Sequence, residues 1–289
     1  MTLREVANTL WGMGKIKFEL ASVEPVGSFL AKELEDRIMA LTERDGLKDP
    51  RDAEQLWYGL SHVSYTWDSA VLHSLLSRTL RDMGSWDDLK SLTQTCERIT
   101  LMTERNIIKL HQTQREQIQA ALLAAIPKAD PGDLAMAVES LMFTAKQLGI
   151  SLPPGTIKHL YNCVLTMPQQ QGRQRVATGS ASTLYSFTSL GYQPTLEEMV
   201  VWEQRLLGSL PQQGGASSQS DQSWVFLALS SCRNYMPAPK VKARLKALAE
   251  GLPQGCSPGI RTRTLLACKN WGVTFVSGVA ERLEGRYKR

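Results

Sequence analysis

The sequence predicts an all-α fold, an α-solenoid of about seven helix-turn-helix repeats of about 40 residues each. Three observations predict it. A short phrase recurs, as MFTAKQLGISLP at 142–153, LYSFTSLGYQP at 184–194 and LLACKNWGVTF at 265–275. An amphipathic segment with apolar residues at three-four spacing follows each copy. Alternating apolar runs bounded by turn residues, the mark of strands, are nearly absent.

Anchored on its first apolar position, the phrase starts at Leu10, Trp57, Thr93, Met142, Leu184, Val225 and Leu265, at spacings of 47, 36, 49, 42, 41 and 40 residues. Apolar residues at offsets 0, 3 and 6 share one helix face. A small residue at offset 7 then ends the helix. Gly149, Gly191 and Gly272 stand there and are expected to be left-handed caps. Prolines 153, 154, 194 and 237 follow and start the next helix cleanly. One such hairpin cannot bury its apolar stripe alone, so neighbours stack into one continuous core over 1–289.

The elements follow in order. Repeat one, 3–45, joins LWGMGKIKF to VGSFLAKELEDRIMAL, and repeat two, 50–85, joins LWYGLSHVSY to SAVLHSLLSRTLRDM. Repeat three, 87–128, has the polar anchor Thr93 and a long second segment, NIIKLHQTQREQIQAALLAAI. Repeat four, 132–168, ends in GTIKHLYNCVLTM. Repeat five, 176–211, ends in TLEEMVVWEQRLLGSL, where Thr195 caps the helix and Glu198 completes a capping box. Repeat six, 220–253, departs from the phrase at Ser231 and Arg233 and ends in APKVKARLKALAEGL. Repeat seven, 259–289, closes on FVSGVAERLEGRYKR. Polar stretches at 42–54, 167–182 and 210–223 read as surface linkers.

Composition excludes several classes. Five scattered cysteines without a CxxC pair argue against a disulfide framework and a zinc site, and four histidines form no metal pattern. No cofactor is implied. No apolar run is long enough to span a membrane. The N-terminus resembles neither a signal peptide nor a transit peptide and enters the first repeat at once, so removal of a presequence or of upstream repeats is expected. Phosphate-cradling and nucleophile-elbow motifs are missing. Glu197 with Glu198, and Asp87 with Asp88, read as first-turn acids on helix dipoles. His159 reads as a surface residue and Cys268 as core, matching Ala145 and Ala228 of other copies. No catalytic site, metal site or small-molecule substrate is expected.

The phrase in LWGMGKIKF, LWYGLSHVSY, FTAKQLGI and LYSFTSLGY resembles the octotricopeptide repeats of algal organelles and the related heptatricopeptide and FAST-kinase-like repeats. The resemblance covers essentially the whole chain. Two family features are missing: a proline-rich stretch containing tryptophan, and an endonuclease-like RAP domain after the last repeat. The resemblance implies RNA binding without catalysis, in an organellar ribonucleoprotein such as a ribosome, and favours the mitochondrion over the plastid.

Charge points the same way. The net charge is +5, but residues 221–289 hold twelve basic and four acidic side chains, leaving the remainder slightly acidic. In KVKARLKAL, Lys242 and Lys246 share a face opposite Val241, Leu245 and Leu248. Lys240, Lys242, Arg244, Lys246, Arg261, Arg263 and Lys269, with Arg173 and Arg175 in a linker, form the predicted phosphate-facing set. Arg261 and Arg263 are placed just before the seventh first helix, near free amides. Lys15, Lys32 and Lys90 are expected to matter little. Trp11, Trp57, Tyr185 and Phe226 are expected in the core, while Trp67, Trp86 and Trp202 are left open. The uneven repeat spacing suggests a fixed structured RNA, such as ribosomal RNA, contacted through phosphates. The second reading is a protein-binding scaffold of tetratricopeptide or armadillo kind without direct RNA contact.

Overall fold

The computed structural model describes residues 2–23, 25–166, 176–210, 219–253, 255–275 and 278–284. They form fourteen α-helices, with no strand among the described residues. Two compact units divide the chain, 1–153 and 154–289. The first holds α1 (Leu3–Lys15), α2 (Val26–Asp45), α3 (Pro50–His62), α4 (Ser69–Asp82), α5 (Leu89–Glu104), α6 (Gln112–Ala125) and α7 (Pro131–Leu148). The second holds α8 (Pro154–Thr166), α9 (Val176–Ser189), α10 (Leu196–Gly208), α11 (Gln219–Ser231), α12 (Pro239–Gly251), α13 (Pro258–Asn270) and α14 (Val279–Glu284).

Helix starts follow from local chemistry. The side chains of Asp49, Asp68, Asp88 and Asp130 accept first-turn amides of α3, α4, α5 and α7. Thr195 and Glu198 form the expected reciprocal box, and Thr2 with Glu5 forms another. Helix ends explain the phrase. Gly149, Gly191 and Gly272 have φ of 65°, 92° and 62°. The next residue's N–H returns to the carbonyl at offset 3: Ile150 to Ala145, Tyr192 to Phe187, Val273 to Cys268. This is a Schellman cap. Helix α1 ends the same way with Lys17 at φ 52°, and Phe18 N–H bonded to Met13.

The third copy is misplaced by the sequence. Thr93 and Thr100 both lie inside α5, and the left-handed residue is Asn106, at φ 57°, with Ile107 N–H bonded to the Met102 carbonyl. The true anchor is Ile99. Spacings after Trp57 then become 42, 43, 42, 41 and 40 residues, so the uneven 36 and 49 vanish. The error has a physical cause. Leu92, Cys96, Ile99 and Met102 are all buried on one face of α5, so apolar periodicity fits two registers. Copies two and six end without a left-handed residue.

Linkers are shorter than predicted. Helix α2 runs to Asp45 and α3 starts at Pro50, so the 42–54 linker shrinks to 46–49. Helix α9 begins at Val176 and α11 at Gln219, inside the other two linkers, whose remaining parts at 167–175 and 211–218 lie outside the described residues. The third second-segment starts late, at Gln112.

In the first unit α1 packs on α3, α3 on α5 and α5 on α7, while α2 packs on α4 and α4 on α6. In the second unit α9 packs on α11 and α11 on α13, while α8 meets α10 and α12 meets α14. Same-layer neighbours run parallel. Arg4 near the start of α1 bonds Asp52 near the start of α3, and Arg105 at the end of α5 bonds the Ser61 carbonyl near the end of α3. Ser223 and Ser230 of α11 meet Arg263 and Asn270 of α13, each 40 residues on.

The core sits between the layers. Trp57, Tyr161, Phe187, Trp202 and Phe226 are fully buried, each contributing roughly 1.5–3 kcal/mol by burial. Buried indoles bind their own partners: Trp57 donates to Thr79 Oγ1 (3.0 Å), Trp67 to the Leu60 carbonyl (3.0 Å), Trp86 to the Leu47 carbonyl (2.9 Å) and Trp202 to Tyr161 Oη (2.7 Å). Trp67, Trp86 and Trp202, left open by the sequence, are therefore core. Trp11 and Tyr185, expected in the core, are partly exposed.

Candidate nucleic-acid interface

The predicted cations divide between two ends of α13. Helix α12 starts at Pro239, so Lys240 and Lys242 stand in its first turn, beside the loop that ends α11. An open cleft of about 500 Å³ lies there, lined by Arg233, Lys242, Asn270, Tyr235 and Trp271 among others. Lys269 precedes Asn270 and is exposed, as are Arg233 and Lys240. Arg233 and Lys242 line this cleft, while Lys240 stands two residues before Lys242 and Lys269 one before Asn270. The floor is aromatic: Tyr235 and Trp271 are buried with ring centroids 5.9 Å apart, and Phe226 meets Trp271 at 6.2 Å. No carboxylate pairs with these four cations among the described residues.

The others stand elsewhere. Lys246 is a turn further along α12 and pairs with Glu250 at 3.8 Å. Arg244 shares that helix and is half-buried. Val241, Leu245 and Leu248 are buried on the opposite face, as the amphipathic pattern requires. Arg173 and Arg175 lie outside the described residues, as does the 285–289 tail.

Arg261 and Arg263 correct the sequence reading. They lie within α13, which begins at Pro258, and the Arg261 amide already donates to the Ser257 carbonyl. Arg263 ties two helices together: Nε donates to Ser223 Oγ (3.0 Å), and the guanidinium sits 4.6 Å from the Trp224 ring centroid. Burial lowers its pKa from the ordinary guanidinium value. Arg233, absent from the predicted set, also lines the cleft. Its signal was its place at offset 8, where other copies carry an apolar residue.

The groups weighed for catalysis have structural occupations. Glu198 closes the α10 cap and lies 3.3 Å from Tyr192 Oη, and Asp88 caps α5. Cys96, Cys232 and Cys268 are buried, with thiols pushed up to about 12 by desolvation, so they stay protonated at neutral pH. Cys163 moves the same way, with Sγ 4.0 Å from His159 Nε2. No cluster of metal-binding side chains occurs among the described residues, and no described helix is long and apolar enough to cross a membrane.

Comparison with protein-family models, with curated proteins and with solved structures gives no match.

Proposed function

We propose that this chain is a non-catalytic RNA-binding α-solenoid of an organellar ribonucleoprotein, holding structured RNA such as ribosomal RNA. The observation that carries the reading is a cleft lined by Arg233 and Lys242, with exposed Lys240 and Lys269 next in sequence to its lining and no ion pair to any of the four among the described residues. Such a wall attracts a polyanion and releases its counterions. Cations meet phosphates whatever the base, which suits a fixed RNA contacted through its backbone. The uneven spacing no longer supports that choice, because the anchors after Trp57 are evenly placed. Side-by-side helices offset by about 40 residues support the solenoid. The mitochondrial setting rests on the resemblance of the phrase.

Binding of labelled structured RNA at graded salt tests this reading. Changing Lys240, Lys242 and Lys269 together to Glu should abolish binding of all sequences alike and leave helical content by circular dichroism intact. Unchanged affinity overturns the reading. A second reading, a protein-binding scaffold, draws on two exposed apolar helix faces: Val26, Phe29 and Leu30 on α2, and Leu196, Val200 and Val201 on α10. Absence of any RNA binding at low salt selects it.

A further inference from the structure

The first unit carries a cation-aromatic cluster that no sequence window reveals. Trp11 on α1 and Tyr58 on α3 lie with ring centroids 6.5 Å apart, and His62 stacks on Tyr58 at 4.1 Å with 9° between planes. Lys15 Nζ lies 5.1 Å from the Trp11 ring centroid and 4.7 Å from that of Tyr58, and the Arg98 guanidinium of α5 is 5.2 Å from Tyr58. Arg105, at the end of α5, donates to the Ser61 carbonyl at 3.0 Å. Gly14 makes the approach possible: a Cβ there would stand 3.1 Å from the Tyr58 ring and 3.2 Å from His62.

Charge here is not balanced as it is around it. Elsewhere in this unit Arg4 pairs with Asp52, Lys32 with Asp36, Arg37 with Glu33 and Arg81 with Asp82. Lys15 and Arg105 have no ion-paired carboxylate among the described residues, and Arg98 has Glu97 at 3.6 Å, which also accepts from Ser140, and Glu54 near enough to feel its charge. His62 registers all three cations. Burial first, then the charges of Arg98, Arg105 and Lys15, hold its pKa below the ordinary value, so the ring stays neutral and flat-stacked. Cation-ring contacts soften the mutual repulsion but supply no negative charge. Trp11 is 38% exposed at the edge of this cluster, so part of its indole remains open to a partner.

We infer that Trp11, Lys15, Tyr58, Arg98 and Arg105 form a second contact site, taking an unpaired nucleotide of single-stranded RNA. The base stacks on Trp11, and the adjoining phosphates meet Lys15 and Arg105. An unpaired base is required because a helix hides its faces, while aromatic side chains bind those faces with little regard to sequence. This rests on the RNA-binding reading above and adds a site in the other unit, with a different ligand form. It also removes Lys15 from the expected bystanders. Lys32, paired with Asp36 at 3.1 Å, remains one.

The test measures anisotropy of a labelled twelve-nucleotide single-stranded RNA and of a twelve-base-pair RNA duplex, using the full chain across a salt series. Trp11→Ala should weaken single-strand binding about tenfold, consistent with loss of one stacked base. The duplex affinity and the salt slope should not move. Trp11→Phe should retain most of the affinity, which separates stacking from folding. Lys15→Gln with Arg105→Gln should make the single-strand salt slope shallower by about 1.4, since each phosphate contributes roughly 0.7. Lys32→Gln should leave both measurements alone. If the unaltered chain binds RNA but Trp11→Ala and the double variant bind single strands equally well, the inference is overturned while the RNA reading stands. If the unaltered chain binds neither RNA, both fall. If poly-glutamate binds as tightly as RNA, and only the Lys15 and Arg105 changes weaken it, the site is for an acidic protein segment and the inference is overturned.

Discussion

A left-handed backbone is costly for any residue with a Cβ, and that cost makes Gly191 readable from sequence. Its φ is 92°, and no atom lies within 4 Å of where a Cβ would be, so the penalty of replacement is conformational rather than steric. Gly191→Val should cost about 1 kcal/mol or more, seen as a lower urea midpoint. The same state at Lys17 was illegible, because lysine does not announce it, and Asn106, a residue type that tolerates it, was hidden by the misplaced third anchor. His62 gives a second prediction. Its folded pKa is lowered from 6.5, so the unfolded chain takes a proton more readily. The site's contribution is full above that unfolded value and declines as pH falls through it towards the folded one. His62→Gln should flatten the stability–pH curve below pH 6.5 in urea melts at stepped pH. A curve parallel to that of the unaltered chain would contradict the assignment.

Between elements, distance is set by what is missing from a side chain. A Cβ on Gly59 of α3 would stand 2.5 Å from Leu10 of α1 and 2.6 Å from its carbonyl, contacts no real side chain makes. Gly59→Ala should therefore push α1 from α3 and cost roughly 1–3 kcal/mol, read by thermal melts. No sequence signal warns of this, since Gly59 sits inside the phrase, where apolar periodicity counts it as a mere gap. Arg263 shows the converse. It was counted as a phosphate ligand by its charge, but its partners Ser223 and Trp224 are 40 and 39 residues away, and only packing reveals them. Arg263→Gln should lower the melting temperature and leave RNA affinity nearly unchanged, whereas Lys269→Gln should do the reverse. Helix existence and the caps at Thr195, Gly149, Gly191 and Gly272 were legible because these residues act on their own neighbours. The third copy was not, because its face reads apolar in two registers.

At the scale of the whole chain, charge counted along the sequence and charge gathered in space are different quantities. The basic C-terminal stretch was legible as a local excess. The Lys15, Arg98 and Arg105 cluster was not, because acids that lower the count for that half pair with other cations. Hydrogen bonds between helices of the same layer join residues 33 to 48 positions apart, from Asp68 to Glu35 up to Arg4 to Asp52. Each helix packs closely on helices no more than two places away in order. Ordering therefore needs only moderate loop closure and has no single long-range contact that must form first. Within a unit, structure can nucleate at any pair of neighbouring helices and spread to the next, because the contacts are local. Damage spreads as poorly as order does. A variant at α1–α3 loosens that seam while α5 on α7 holds, so its melt should broaden rather than shift as one sharp step. A single midpoint then understates the loss. Hydrogen exchange, followed helix by helix, would show the injury confined to the seam where it was made.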